Sequence, residues 1–187
     1  MEAIKKIEID KVFKTILIAL LGTLLLTISA KIKIPFYPVP MTMQTFVVLL
    51  LGLLLGPKNA LIVVSLYLLQ GIFGLPVFAG TPEKGIGLIY FTGPTMGYLI
   101  GFLLATYFAG YFKYDKGWIN SLFKLIFSVS LIYIFGMMWL GALIGWDKPI
   151  FKLGAAPFLL AELFKVILLL FLIPILTKIK QKLFKSI

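Results

Sequence analysis

A run of apolar residues at 157–176, P-F-L-L-A-E-L-F-K-V-I-L-L-L-F-L-I-P-I-L, is interrupted only by Glu162 and Lys165. As a helix it would reach roughly 30 Å, the thickness of a hydrocarbon core. Spacing three apart puts both charges on one helix face. A charge in mid-membrane costs about 2.5 to 3.5 kcal/mol even on lenient insertion scales, so both must face a protein interior or a cavity. The segment therefore predicts a membrane-spanning helix with a functional centre on one side.

The rest of the chain has the same character. A hydrophobic fraction of 61% over 187 residues cannot be hidden inside a soluble domain of this size, which predicts an integral membrane protein with one membrane domain over 1–187. The net charge of +11 would suit nucleic acid in a soluble protein, but the lysines stand at the ends of apolar runs, where they anchor to anionic lipid. No nucleic-acid-binding motif is present, so no nucleic-acid partner is expected. Cysteine and histidine are absent, which removes thiolate chemistry, imidazole metal ligands and every His-based triad. The expectation is a protein that is no enzyme and uses no metal or other cofactor. No Gly-x-x-x-x-Gly-Lys-Ser/Thr loop occurs, so any ATP must be handled by a partner. The first apolar run lacks a cleavage site of small residues and reads as a retained helix.

Periodicity and breakers predict an all-α fold of six transmembrane helices, at 12–30, 41–56, 59–74, 94–112, 119–146 and 157–177. The second and third are short, and Gly56-Pro57-Lys58-Asn59 between them predicts a tight helical hairpin. Residues 75–93, rich in glycine and proline, predict an external cap or re-entrant loop. Placing both termini in the cytoplasm puts twelve lysines inside against five outside, Lys31, Lys33, Lys84, Lys148 and Lys152. That agrees with the positive-inside rule and with an even number of spans in the cell membrane. Glu162 and Lys165 then lie about two turns below the external surface, in a layer with Thr42, Gln44, Thr45, Gln70, Thr95, Tyr98 and the 75–93 loop. The tail at 178–187 reads as an amphipathic extension of the last helix on lipid headgroups.

Each feature has a plainer alternative. Glu162 and Lys165 can be an ion pair that only locks packing. Gln44 can serve orphan amides at a helix start. Gly93, Gly97, Gly101, Ala105 and Ala109 recur every fourth residue and read as a packing ridge, although Gly97 can also admit a ligand against the backbone. Ala19, Thr23 and Thr27 form a second ridge, for internal packing or for another subunit. Phe78, Tyr90, Phe91, Tyr98 and Phe102 can wall a pocket or simply fill the core.

Four segments in series carry a resemblance: F-Y-P-V-P-M-T-M-Q-T at 36–45, G-L-L-L-G-P-K at 52–58, G-L-P-V-F-A-G at 74–80 and G-P-T-M-G-Y-L-I-G-F at 93–102. Together they resemble the BioY family, the biotin-specific substrate-capture (S) components of energy-coupling factor transporters. The family's last helix commonly reads Gly-Asp-x-x-Lys, where this chain has Ala161-Glu162-Leu163-Phe164-Lys165, with charge pattern and spacing kept. The resemblance implies biotin as ligand, and as partners a transmembrane coupling subunit and two ATP-binding subunits. It implies a ligand-binding set of Gln44, Phe78, Gly80, Lys84, Thr95, Gly97, Tyr98, Glu162 and Lys165. Glu162 suits the ureido N–H groups, Gln44 or Lys165 the carbonyl or the carboxylate, and Tyr98 with Phe78 the apolar body. Ala19 and Thr23 would meet the coupling subunit. The alternative is a stand-alone ion-coupled carrier of a small acidic solute, with Glu162 as the proton-binding group.

Overall fold

The computed structural model describes the backbone of residues 2–185 and the side chains of residues 13–182. Lys5, Lys6, Lys11 and Lys185, counted above for orientation, have side chains outside that range. The chain is helical almost throughout: α1 (Glu2–Lys31), α2 (Gln44–Ile72), α3 (Met96–Tyr111), α4 (Gly117–Ile144), the short α5 (Ile150–Gly154) and α6 (Leu159–Lys185). Four helical stretches are long and apolar enough to cross a membrane: Phe13–Lys31, Gln44–Ile72, Gly117–Ile144 and Ile150–Lys182. The 178–185 part of the tail continues α6.

Within α2 the chain turns back on itself. Gly56 has φ 76° and ψ 173°, a conformation that side chains disfavour, and Pro57 follows with its fixed φ suited to starting a helix. The two arms, 44–55 and 57–72, lie side by side: Gln44 Nε2 donates to Tyr67 Oη at 2.8 Å. In one continuous helix those residues would stand roughly 34 Å apart. The expected hairpin is therefore present, with its second arm beginning at the predicted breaker.

Close backbone approach organises the remaining helices. A methyl group at Gly52 would come within 3.0 Å of Gly110 N, and one at Gly110 would stand 2.6 Å from both the Gly56 carbonyl carbon and Pro57 N. The Thr106 hydroxyl, in the same seam, donates to Val48 O at 3.0 Å. One level along α3, Gly101 packs 2.6 Å, by the same measure, from Ile132 Cα of α4, and Gly97 meets the Phe135 carbonyl and Trp139. The four-residue ridge is thus a packing device on both sides of α3, as its spacing predicts.

Two irregular segments close one end of the bundle. Residues 32–43 form a small antiparallel ladder, β1 (Lys33–Ile34) with β2 (Met41–Thr42), in register Lys33 to Thr42 and Ile34 to Met41. The second helix accordingly starts at Gln44, three residues later than expected; Thr42 Oγ1 accepts the Gln44 backbone N–H at 3.3 Å. Residues 75–93 form the expected cap, built of turns and a 3-10 segment, Gly87–Thr92. The cap is pinned by its carbonyls: Val77 O accepts from Tyr67 at 3.0 Å and Ala79 O from Tyr90 at 2.8 Å.

Candidate functional site

A cavity of about 50 Å³ opens under the cap, where the ends of several elements converge. Its polar side is Thr42, Gln44 and Thr45 at the start of α2, with Thr95 before α3 and Glu162 on α6; its apolar side includes Tyr90, Tyr98, Phe102, Tyr133 and Phe158. Tyr98 is fixed by donation to Gly154 O at 2.7 Å and by an edge contact with Tyr133, ring centroids 6.0 Å apart. Burial raises the pKa of the Tyr90 phenol, which keeps it a proton donor to the Ala79 carbonyl.

Glu162 and Lys165 are 5% and 7% exposed, so their charges need partners close by. The Lys165 ammonium has three N–H donors and three acceptors: Thr42 O at 2.6 Å, Glu162 Oε1 at 2.7 Å and Thr45 Oγ1 at 3.0 Å. The Thr45 hydroxyl in turn donates a hydrogen bond to Glu162 Oε1 at 2.8 Å. One carboxylate oxygen thus takes two donors. The other, Oε2, is the only buried side-chain polar atom without a hydrogen-bond partner among the described residues. A buried acceptor left bare costs about 1 to 3 kcal/mol, more when charged, so this oxygen calls for a donor from outside the chain, such as a water or a ligand.

The segment before α6 sets the level of this pair along the bundle. Residues 145–158 run back along α4: a methyl group at Gly154 would touch Leu140 at 3.0 Å and Met137 at 3.5 Å, and Phe158 packs on Tyr133, ring centroids 6.2 Å apart. Tyr133 stands next to Glu162 and lies eleven residues before the end of α4 at Ile144, roughly 16 Å along the helix. Measured along α4, the pair therefore lies level with the middle of that helix.

The network continues to the cap. Gln44 accepts from Thr42 Oγ1 at 3.2 Å and donates to Tyr67, which donates to Val77 O. Hydrogen bonds and chain connectivity thus join the charge pair to the cap.

Comparison with known proteins gives this geometry a family. The model described as "BioY family" matches residues 3–182. This chain belongs to the BioY family. It is 37% identical over 152 residues to the probable biotin transporter BioY of Pyrococcus horikoshii, covering 81% of this chain and 89% of that protein. It is 35% identical over 148 residues to the biotin transporter BioY of Thermotoga maritima, covering 78% of this chain and 85% of that one. Among solved structures it is similar to the S-component for biotin from an ECF-type ABC transporter, with a TM-score of 0.75, 27% identity, and coverage of 90% of this chain and 93% of that one.

In this BioY-family chain, Gln44, Thr95, Tyr98 and Glu162 come together in the cavity as expected from the sequence. The other expected residues stand elsewhere. Lys165 does not line the cavity but lies behind Glu162, its ammonium met by Thr42 O, Glu162 Oε1 and Thr45 Oγ1. Phe78, 1% exposed, forms the layer behind Tyr90, on which it stacks at 4.7 Å. Gly80 shapes the cap turn with φ 80°, and Gly97 is covered by α4. Lys84 lines a separate outer recess of about 350 Å³ that shares Tyr90 and Thr95 with the cavity.

Ala19 and Thr23 are a correction. They are 7% and 3% exposed and face the protein's own α2, where Gln70 Nε2 donates to Thr23 Oγ1 at 3.3 Å. The ridge serves internal packing, and the exposed side of α1 carries Leu20, Leu21, Leu24 and Ile28 instead. Tyr133 was missed. Its only sequence signal is a phenol in the middle of an apolar run, which gives no direction. Thr45 was placed in the polar layer but without a role, since its bridging of Glu162 and Lys165 joins residues 117 and 120 positions away.

Proposed function

We propose that this protein is the biotin-binding membrane subunit of an energy-coupling factor transporter, capturing the vitamin outside the cell and doing no chemistry on it. The observation that carries the reading is Glu162 Oε2, a buried acceptor that meets no hydrogen-bond donor of good geometry among the described residues, with the Tyr133 phenol beside Glu162 in an aromatic-walled cavity. A ureido N–H supplies the missing donor, the bicycle fits between Tyr98, Phe102, Tyr133 and Phe158, and Gln44 or Thr95 addresses the carbonyl or the carboxylate. The names of the relatives support biotin as that ligand.

Sites for drug-sized ligands run to about 300–1,000 Å³. A cavity of about 50 Å³ therefore widens as the ligand enters. The 75–93 cap is the irregular part of the enclosure, tied to α2 by the Tyr67 to Val77 bond and by Phe78 packed against Gly71, and widening requires it or its neighbouring side chains to shift.

We place six crossings in the membrane, counting the arms of α2 separately, with both termini cytoplasmic and the cap outside. The reversal at Gly56 and the lysine distribution support this. The coupling subunit would meet the apolar outer side of α1, and two ATP-binding subunits would supply the energy, in keeping with a chain that has no P-loop. The names of the relatives favour the capture subunit over the ion-coupled alternative. Reconstitution tests the scheme: biotin uptake into proteoliposomes is expected only with the coupling and ATPase subunits and ATP. Uptake by this chain alone, driven by a pH gradient, would contradict it.

A further inference from the structure

Lys31 closes α1, a position from which a lysine ordinarily serves the last carbonyls of its own helix. Here the ammonium reaches across to the cap. Nζ donates to Phe78 O at 3.0 Å, to Thr81 O at 3.1 Å and to Thr81 Oγ1 at 3.0 Å. An ammonium has three N–H donors, and one cap turn takes all three. Thr81 Oγ1 also donates to Phe78 O at 2.7 Å, so the 78–81 turn folds around the charge.

That turn carries two walls of the cavity. Ala79, between the anchored residues, lines it directly, and its carbonyl accepts the hydroxyl of Tyr90, which also lines it. Phe78 stacks on the Tyr90 ring. The remaining walls are mostly helices packed backbone to backbone, and the turn under Lys31 joins them through Phe78, buried against Gly71 and the Tyr67 ring, so its place over the cavity is set by that packing together with the bonds from Lys31.

We infer that Lys31 is a positioning residue for ligand retention: it latches the 78–81 turn to α1 and so keeps Ala79 and Tyr90 closed over the bound ligand. The inference rests on the reading of the cavity as a biotin site. Because the three bonds share one donor atom, displacing the end of α1 from the cap releases them together.

The test compares the full-length wild type with Lys31→Met and Lys31→Arg, measuring biotin dissociation, thermal stability and amide exchange over residues 77–85. Lys31→Met is expected to release biotin at least about tenfold faster, given two or more charge-assisted bonds lost, with faster exchange in the cap and little change in melting temperature. Lys31→Arg, which can still donate to the same carbonyls, is expected to stay within about threefold of wild type. Unchanged dissociation in Lys31→Met would overturn the inference, as would equal losses of stability and binding in both variants. No biotin binding by the wild type would instead overturn the reading of the site, and ligand retention with it.

Discussion

Lys165 takes one oxygen of Glu162 and leaves the other: Nζ sits 2.7 Å from Oε1, while Oε2 is buried with no hydrogen bond from the described residues. The pair is therefore asymmetric: the cation is met by three acceptors, while one oxygen of the anion meets no donor among the described residues. Removing either member has different consequences.

Glu162→Gln keeps the shape and an oxygen but loses the charge. Biotin affinity is expected to fall by about 10- to 150-fold, the value of one charge-assisted bond of roughly 1.5 to 3 kcal/mol, while the protein still folds. Isothermal titration and thermal melting on the same sample check both halves.

Lys165→Met is expected to act on folding first. It leaves a buried carboxylate without its cation and the Thr42 carbonyl without its donor, a loss of about 3 to 5 kcal/mol. Monodisperse yield in detergent is the readout, and a well-folded variant that merely fails to bind would assign Lys165 to the ligand instead.

Thr45→Val removes the hydroxyl that links both charges, whereas Thr45→Ser keeps it. The valine variant is expected to lose about tenfold in biotin affinity, from a buried bond of about 1 to 2 kcal/mol, and the serine variant to remain close to wild type. Equal losses in both would show that packing of the methyl group, not the bridge, matters there.

Much of this architecture was legible because membrane insertion punishes ambiguity. Apolar length fixed the helices, Gly56 and Pro57 marked the reversal, and the four-residue spacing of Gly97, Gly101, Ala105 and Ala109 marked the packing faces of α3. Glu162 stood out because an ionisable residue inside such a run is costly. Roles were less legible than positions. Lys165 reads from sequence as an equal partner, and only the three acceptors around its ammonium show that it is fully occupied. Ala19 and Thr23 make a ridge that suits an internal or an external neighbour, and local spacing cannot choose between them. The two-residue strands and the return of residues 145–158 along α4 depend on contacts distant in sequence, which local patterning does not show.

Gly110→Ala tests the seam between α2 and α3. The added methyl would meet Gly56 C, Pro57 N and Gly52 O, all backbone atoms that cannot rotate away. A loss of about 1 to 3 kcal/mol is expected, seen as a lower melting temperature, with weaker biotin binding only as a secondary effect.

The lack of native cysteine makes topology directly testable. Single cysteines replacing Lys58 and Lys178 are expected to react with an impermeant maleimide only after the cell is opened, and one replacing Lys84 to react from outside. Labelling of Lys58→Cys and Lys84→Cys from the same side would contradict a reversal that crosses the membrane.

The central claim is that Glu162 Oε2 is the acceptor for the ureido group of biotin. Calorimetric titration of purified wild type and Glu162→Gln with biotin, and with a biotin analogue methylated on its ureido nitrogens, tests it most directly. The account predicts one-to-one binding of biotin by the wild type with submicromolar affinity. It also predicts weak binding of the methylated analogue, and little further loss when that analogue meets Glu162→Gln. Wild-type affinity for biotin no better than micromolar, or unchanged affinity in Glu162→Gln, would contradict it.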